Sequence, residues 1–261
     1  MTLRRPCGYV AFAALLALLC LMPSSANAQS TETLMLRGRP QTLHLSGPLG
    51  GPPAIVSSGD GGWIHLAPEV ATMLAARGFF VIGIDSKAYL ESFTSSAITL
   101  TTANVPADYQ AIVRFASRHS SVKPVLIGVS EGAALSLLAA TEPETQVMIS
   151  GVIGLGLGDA NELGWRWKDA LIYLTHGVPN EPTFSTIAVA GRVAPAPLAV
   201  INSTRDEFVP AGEADRIMAA AQSPKRLWMI AAADHRFSDR QAELSLRLAE
   251  AIAWVRQNEP K

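Results

Sequence analysis

The sequence predicts an α/β fold, with a mainly parallel central sheet flanked by helices, on three observations. Short apolar β-type runs alternate with helix-type runs along most of the chain, the pattern of right-handed βαβ units. Two of those runs, Phe79–Ile84 and Val125–Val129, are continuously apolar, as strands covered on both faces are. The chain is 49% hydrophobic and 16% charged over 261 residues, which suits one large domain rather than two with separate cores.

Ahead of the first element, Arg4 and Arg5 precede an apolar run from Val10 to Met22, then Pro23, two serines and Ala26-Asn27-Ala28. A short apolar core ending at small residues is the pattern of a secretory signal peptide, here cut after Ala28. The run is short for a membrane-spanning helix, which needs roughly 20 apolar residues. Leu19 stands before Cys20, where a lipid-modified cysteine wants a small residue. The arginine pair leaves the choice between Sec and twin-arginine export open. Both cysteines, Cys7 and Cys20, lie in this segment, so a mature chain from Gln29 has no disulfide and no thiolate metal ligand. Loss of Arg4 and Arg5 takes the basic residues from 21 to 19 against 22 acidic ones, and the net charge from −1 to −3. A mildly acidic domain is not built for nucleic acid.

The mature elements follow in order. Leu34–Leu36 and Thr42–Leu45 form an opening hairpin, and Ala54–Ser57 is a short apolar strand. Pro68–Arg77 reads as a helix with Gly78 just past its end. Phe79–Ile84 is a buried strand and Ala107–Arg118 a helix with Ile112, Val113 and Phe115 among its apolar positions. Val125–Val129 is a strand, Glu131–Ala140 an Ala/Leu-rich helix, and Val147–Leu155 a strand. Leu198–Asn202 and Arg226–Ile230 are strands, and Asp239–Arg256 is a long closing helix. The stretch from about 159 to 197, with Trp165, Trp167, Tyr173, Phe184 and several prolines, breaks the rhythm. It reads either as a small cap over a site or as an ordinary long connection. In an open parallel sheet the ligand sits at the carboxyl ends of the strands.

Gly128-Val129-Ser130-Glu131-Gly132 falls between a strand and a helix. A serine there needs a tight, strained turn to present its hydroxyl, and the flanking glycines allow the close packing of that turn. A serine hydroxyl is a weak nucleophile and needs a base. His44, His65, His119 and His176 sit in the hairpin, at a helix start, at a helix end and in the 159–197 stretch. His235 instead follows the last strand, where a base is delivered. Asp206, after the strand Leu198–Asn202, is the acid that would hold the histidine in one tautomer, with Glu207 its rival. Ser, then Asp, then His is the chain order of the α/β-hydrolase fold. Ser58-Gly59-Asp60-Gly61-Gly62-Trp63 follows the strand Ala54–Ser57. It stands where that fold supplies one oxyanion N–H, from Asp60 or alternatively Gly61, with the other from Glu131. No Lys-Ser/Thr pair follows the glycines, which argues against a phosphate loop.

Four stretches together resemble the VirJ/AcvB family of periplasmic, virulence-associated proteins. They are Ser58–Trp63, Val81-Ile82-Gly83-Ile84-Asp85-Ser86, the Gly128–Gly132 elbow and Asp234-His235-Arg236-Phe237. The resemblance covers about residues 50–256. It implies hydrolysis of the lysyl or alanyl ester of aminoacyl-phosphatidylglycerol in the periplasm, with no cofactor. Members often carry an aromatic residue where this chain has Glu131, and a different sequence where it has Lys87-Ala88-Tyr89-Leu90. A cationic aminoacyl group favours a pocket acid, for which Asp60, Asp85, Glu131 and Asp159 are candidates. Asp85 and Trp63 are the expected substrate-binding residues. Trp165 and Trp167, beside Arg166 and Lys168, suit a peripheral membrane contact. Two rival readings remain: a general periplasmic carboxylesterase of dienelactone-hydrolase type, and a non-catalytic binding or secretion-accessory module. The histidines lack paired metal-ligand spacing, so no metal is expected.

Overall fold

A computed structural model describes residues 29–167 and 181–260. The expected signal peptide, residues 1–28, lies outside the described residues, as do Tyr173 and His176 of the 159–197 stretch.

Eight strands make one sheet, in the order β1 (Ser30–Leu36), β2 (Arg39–Ser46), β4 (Phe80–Ile84), β3 (Pro53–Ser57), β5 (Val125–Val129), β6 (Gly151–Leu155), β9 (Leu198–Ser203) and β10 (Lys225–Ile230). The hairpin β1–β2 adds to β4 antiparallel, and every other pair is parallel. Strands β3, β4, β5 and β6 are buried along their whole length, which explains their uninterrupted apolar sequences.

Successive strand residues feed opposite layers, as the two-residue period demands. Ile55 and Leu126 belong to one core, and Ala54, Val56, Val125 and Ile127 to the other. The first layer carries α2 (Ser86–Phe93), α3 (Asn104–Ala116), α4 (Glu131–Ala139), the four-residue α5 (Pro143–Gln146), α6 (Thr186–Ala190) and α7 (Glu213–Ala220). The second carries α1 (Leu66–Ala75) and the long α8 (Gln241–Gln257).

The register brings the strand ends level. Ser57 pairs with Gly128, Val129 with Leu155, Leu155 with Ile201 and Ser203 with Ile230. The loops that follow β3, β5, β6, β9 and β10 therefore leave the sheet along one rim.

Sequence and structure part in three places. The strand expected at Val147–Leu155 starts only at Gly151, because Val147 ends α5 and is exposed. The helices α2, α5 and α7 have no counterpart among the expected elements. In the 159–197 stretch, β7 (Ala160–Glu162) and β8 (Thr183–Ser185) form a separate antiparallel ribbon. One buried network also ties the edge hairpin to the helices. Arg37 donates to both Asp108 carboxylate oxygens at 2.7–3.1 Å, and the Tyr89 hydroxyl donates to Oδ2 at 2.6 Å.

Candidate active site

Ser130 stands between β5 and α4 with φ 52° and ψ −121°. That strained conformation costs on the order of 1–3 kcal/mol and persists only where the surroundings hold it. The two flanking glycines show how they do so. A Cβ on Gly128 would meet the Gly132 carbonyl oxygen at 2.1 Å, and one on Gly132 would meet that of Ser58 at 2.3 Å. The elbow therefore packs backbone on backbone, and Ser130 is left at the sheet rim.

His235 arrives on the loop after β10. Its Nδ1 lies 2.6 Å from Asp206 Oδ2. The other Asp206 oxygen, Oδ1, accepts the N–H groups of Phe208 and Val209 at 2.9 Å. A carboxylate can only accept, so Nδ1 carries the hydrogen and Nε2 keeps its lone pair. Nε2 is buried and has no hydrogen-bond partner among the described residues. Glu207, the rival acid, makes a different contact: it accepts the backbone N–H of His235 at 2.8 Å. Phe208 packs edge-on against the imidazole at 5.3 Å. Gly156, after β6, leaves the ring its space, since a Cβ there would come within 2.5 Å of Cε1. Nothing in the local sequence marks Gly156 for this role.

The loop after β3 faces the elbow. A Cβ on Gly59 would touch the Ser130 Cβ at 3.3 Å. The loop is pinned by Ser58, whose N–H donates to the Ile84 carbonyl and whose Oγ accepts the Ser86 N–H, both at 3.0 Å. The N–H groups of Asp60, Gly61 and Glu131 enter none of the turn or cap bonds among the described residues, and all three residues line one cavity with Ser130 and His235. These are the N–H groups that the sequence assigns to an oxyanion, from Asp60 or Gly61 beside Glu131.

That cavity has a volume of about 440 Å³. Glu162 of the ribbon, Trp165, Glu207 and Arg236 also border it, as does the exposed His65 at its mouth. Glu131 is buried within it, and its Oε1 accepts the Glu162 N–H at 3.0 Å. Burial holds the Glu131 carboxyl well above the usual carboxylate range. The nearby Asp60 and Glu162 charges add to this, and the Glu162 N–H acts against it.

Three expected binding residues lie elsewhere. Asp85 is the N-cap of α2: Oδ1 accepts the Ala88 N–H at 2.9 Å and Oδ2 the Trp63 N–H at 3.1 Å. It fixes the β3 loop from behind and does not border the cavity. Trp63 lies over Gly83 and stacks on His44 at 4.7 Å, on the side of the sheet's antiparallel edge. Asp159 accepts the Ser185 hydroxyl and the Ile187 N–H, organising the start of α6. For both acids a backbone N–H outside the cavity takes the carboxylate that the sequence suggested for a ligand, and for Trp63 the packing on His44 and Gly83 takes the ring. Among the described residues, no three His, Cys, Asp or Glu side chains gather as a metal site would require.

Comparison with known proteins places this geometry in context. Residues 53–161, from β3 through the elbow to the start of the ribbon, match the family described as Bacterial virulence protein (VirJ). An uncharacterized protein of Mycobacterium tuberculosis is 26% identical over 196 residues, which are 74% of this chain and 65% of that protein. The chain thus spans less than two thirds of the relative's length. A dienelactone hydrolase from Anabaena variabilis superimposes with a TM-score of 0.62 at 16% identity, covering 87% of this chain and 98% of that one. An esterase from Pyrococcus furiosus does so with 0.65 at 15%, covering 87% and 90%. The esterase domain of a Rhodothermus marinus protein gives 0.60 at 21%, covering 88% and 98%. The fold is that of the α/β-hydrolases.

Proposed function

From a VirJ-family match over residues 53–161 and an α/β-hydrolase fold, we propose that the protein is a serine hydrolase of carboxylic esters acting on aminoacyl-phosphatidylglycerol in the periplasm. The observation that carries the ester chemistry is the line Asp206 Oδ2 to His235 Nδ1 at 2.6 Å, with an unpartnered Nε2 in the same cavity as Ser130. Ser130 Oγ attacks the ester carbonyl while Nε2 takes its proton, and Asp206 stabilises the resulting imidazolium. The N–H groups of Glu131 and of Asp60 or Gly61 hold the tetrahedral oxyanion. The imidazolium then protonates the departing glycerol oxygen, leaving the amino acid esterified to Ser130. Water, deprotonated by His235, attacks that ester and frees the amino acid and Ser130.

The aminoacyl part is supported by the carboxyls of Asp60, Glu131, Glu162 and Glu207 around the cavity, against one guanidinium among the described residues, that of Arg236. A cavity of about 440 Å³ suits the aminoacyl-glycerol head and not two fatty chains, which stay in the bilayer. Ile64 and Phe208 border the cavity while 52% and 47% exposed, and Trp167 is 77% exposed. These apolar side chains suit shallow insertion at a membrane surface. No helix among the described residues is long and apolar enough to cross a membrane. Export follows from the signal-type segment, and the amino terminus of the periplasmic protein is then Gln29. The likeness to a dienelactone hydrolase and to esterases favours, as second reading, a small soluble ester as substrate.

The test incubates the mature protein and Ser130→Ala with lysyl- and alanyl-phosphatidylglycerol vesicles and with a short-chain nitrophenyl ester. Ser130-dependent release of amino acid is the expected result. Release of nitrophenol alone moves the assignment to the second reading, and no turnover by the wild-type protein removes the hydrolase reading.

A further inference from the structure

Glu131 is a strange neighbour for a nucleophile. Its N–H bears on the oxyanion, yet its side chain puts a second potential negative charge in the same cavity. The residue is only 8% exposed. Oε1 is occupied by the Glu162 N–H at 3.0 Å, while Oε2 accepts no hydrogen bond from any described residue. The ionisable groups sharing the cavity are mostly of the same sign: Asp60, Glu162 and Glu207, with the solvent-exposed Arg236 and the histidines on the other side. Among the described residues, no basic side chain is hydrogen-bonded to Glu131. A buried carboxylate without a cation is costly, and a negative charge beside a forming oxyanion opposes the reaction.

Both difficulties are met by a cation brought by the substrate. We infer that Glu131 Oε2 is the specificity-determining group that receives an ammonium on the acyl portion of the ester. In that low-dielectric wall the pair is strong. Without the ammonium, burial favours the neutral carboxyl over the charged one, so a plain fatty acyl group gains nothing from it. The inference rests on the ester-hydrolase reading above and deepens it by naming the feature of the acyl group that is recognised. The competing role is structural: Oε1 tethers β7 to the elbow, and an amide would serve that bond equally well.

Glu131→Gln separates the two, since the amide oxygen still accepts the Glu162 N–H but cannot ionise. The measurement is kcat/KM on a matched pair, the nitrophenyl esters of 6-aminohexanoate and hexanoate. The deciding quantity is the ratio between them, from which any shift of the elbow common to both cancels. The wild-type protein is expected to prefer the ammonium-bearing ester by about 30-fold or more, and Glu131→Gln to bring the ratio near one. A ratio unchanged by the substitution overturns the inference. So does the absence of a preference in the wild-type protein, which decides the matter even if the variant does not fold. An ammonium preference without release of amino acid from the lipid vesicles removes the lipid substrate and leaves Glu131 in its role. Lipid cleavage with a ratio insensitive to Glu131→Gln does the reverse. Failure to cleave any ester removes both.

Discussion

Two adjacent carboxyls on one loop do different work. Asp206 holds the imidazole through Nδ1 and Glu207 holds the same residue through its backbone N–H. Asp206→Asn can supply its own N–H in place of an acceptor and so favours the wrong tautomer. We expect it to lower kcat by about 10⁴-fold, and Glu207→Gln, which keeps an acceptor, to cost far less. Steady-state kinetics on a nitrophenyl ester compares them directly. Glu131 gives a pH prediction. Its carboxyl is raised above the usual range by burial and by Asp60 and Glu162, so the folded protein holds that proton more tightly than the unfolded chain. The resulting stability is fully present below the ordinary carboxylate range and is lost as pH rises through the raised value. Thermal unfolding of wild type and Glu131→Gln should therefore diverge with increasing pH, in favour of the variant. A constant difference across pH 4 to 8 is the contrary outcome. At this scale the sequence was informative where the role is local. Ser130 is announced by the strand and helix on either side of it and by the two glycines that a side chain would make impossible. Asp206 and His235 follow from chain order. Gly156 and Glu162 reach the site only because the fold brings distant segments together, which no short pattern encodes.

At the scale of elements, Asp85 shows how a correct residue acquires a wrong role. An acid after a strand reads as a pocket group, but here it caps α2 and clamps the β3 loop. The helix it starts has only eight residues, Ser86–Phe93, of which Ser86, Tyr89 and Leu90 are buried, too short a stretch to show a helical period. For α7 a signal existed in the buried Ala214, Ile217 and Met218 at helical spacing. The ribbon β7–β8 was legible only as a break in rhythm, since three-residue strands carry too little pattern to identify. The edge hairpin depends on the Arg37–Asp108–Tyr89 network, in which Asp108 is buried and Arg37 is 38% exposed. Asp108→Ala leaves a buried tyrosine hydroxyl and a partly buried guanidinium without their shared acceptor. We expect a loss of about 2–4 kcal/mol in urea unfolding, at the lower end because water screens the arginine. The hairpin is remote from the cavity, so the folded variant should retain its esterase kinetics.

Across the whole molecule, the sheet is what makes one site from scattered sequence. The glycine loop Ser58–Gly62 follows β3, Ser130 follows β5, Asp206 follows β9 and His235 follows β10, and the level strand ends bring them to one rim. The parallel architecture was readable because strands buried on both faces leave long unbroken apolar runs. The antiparallel addition of β1–β2 to β4 was not, because pairing partners are not written in either strand alone. The same arrangement has a temporal consequence. The ribosome makes Ser130 well before it makes His235, and β10 must lie against β9 before the imidazole can reach the elbow. On the mechanism proposed above, an unfinished chain thus carries Ser130 without the base that would activate it. On that mechanism, docking of the last strand is the step that completes the site, and ester cleavage cannot precede it.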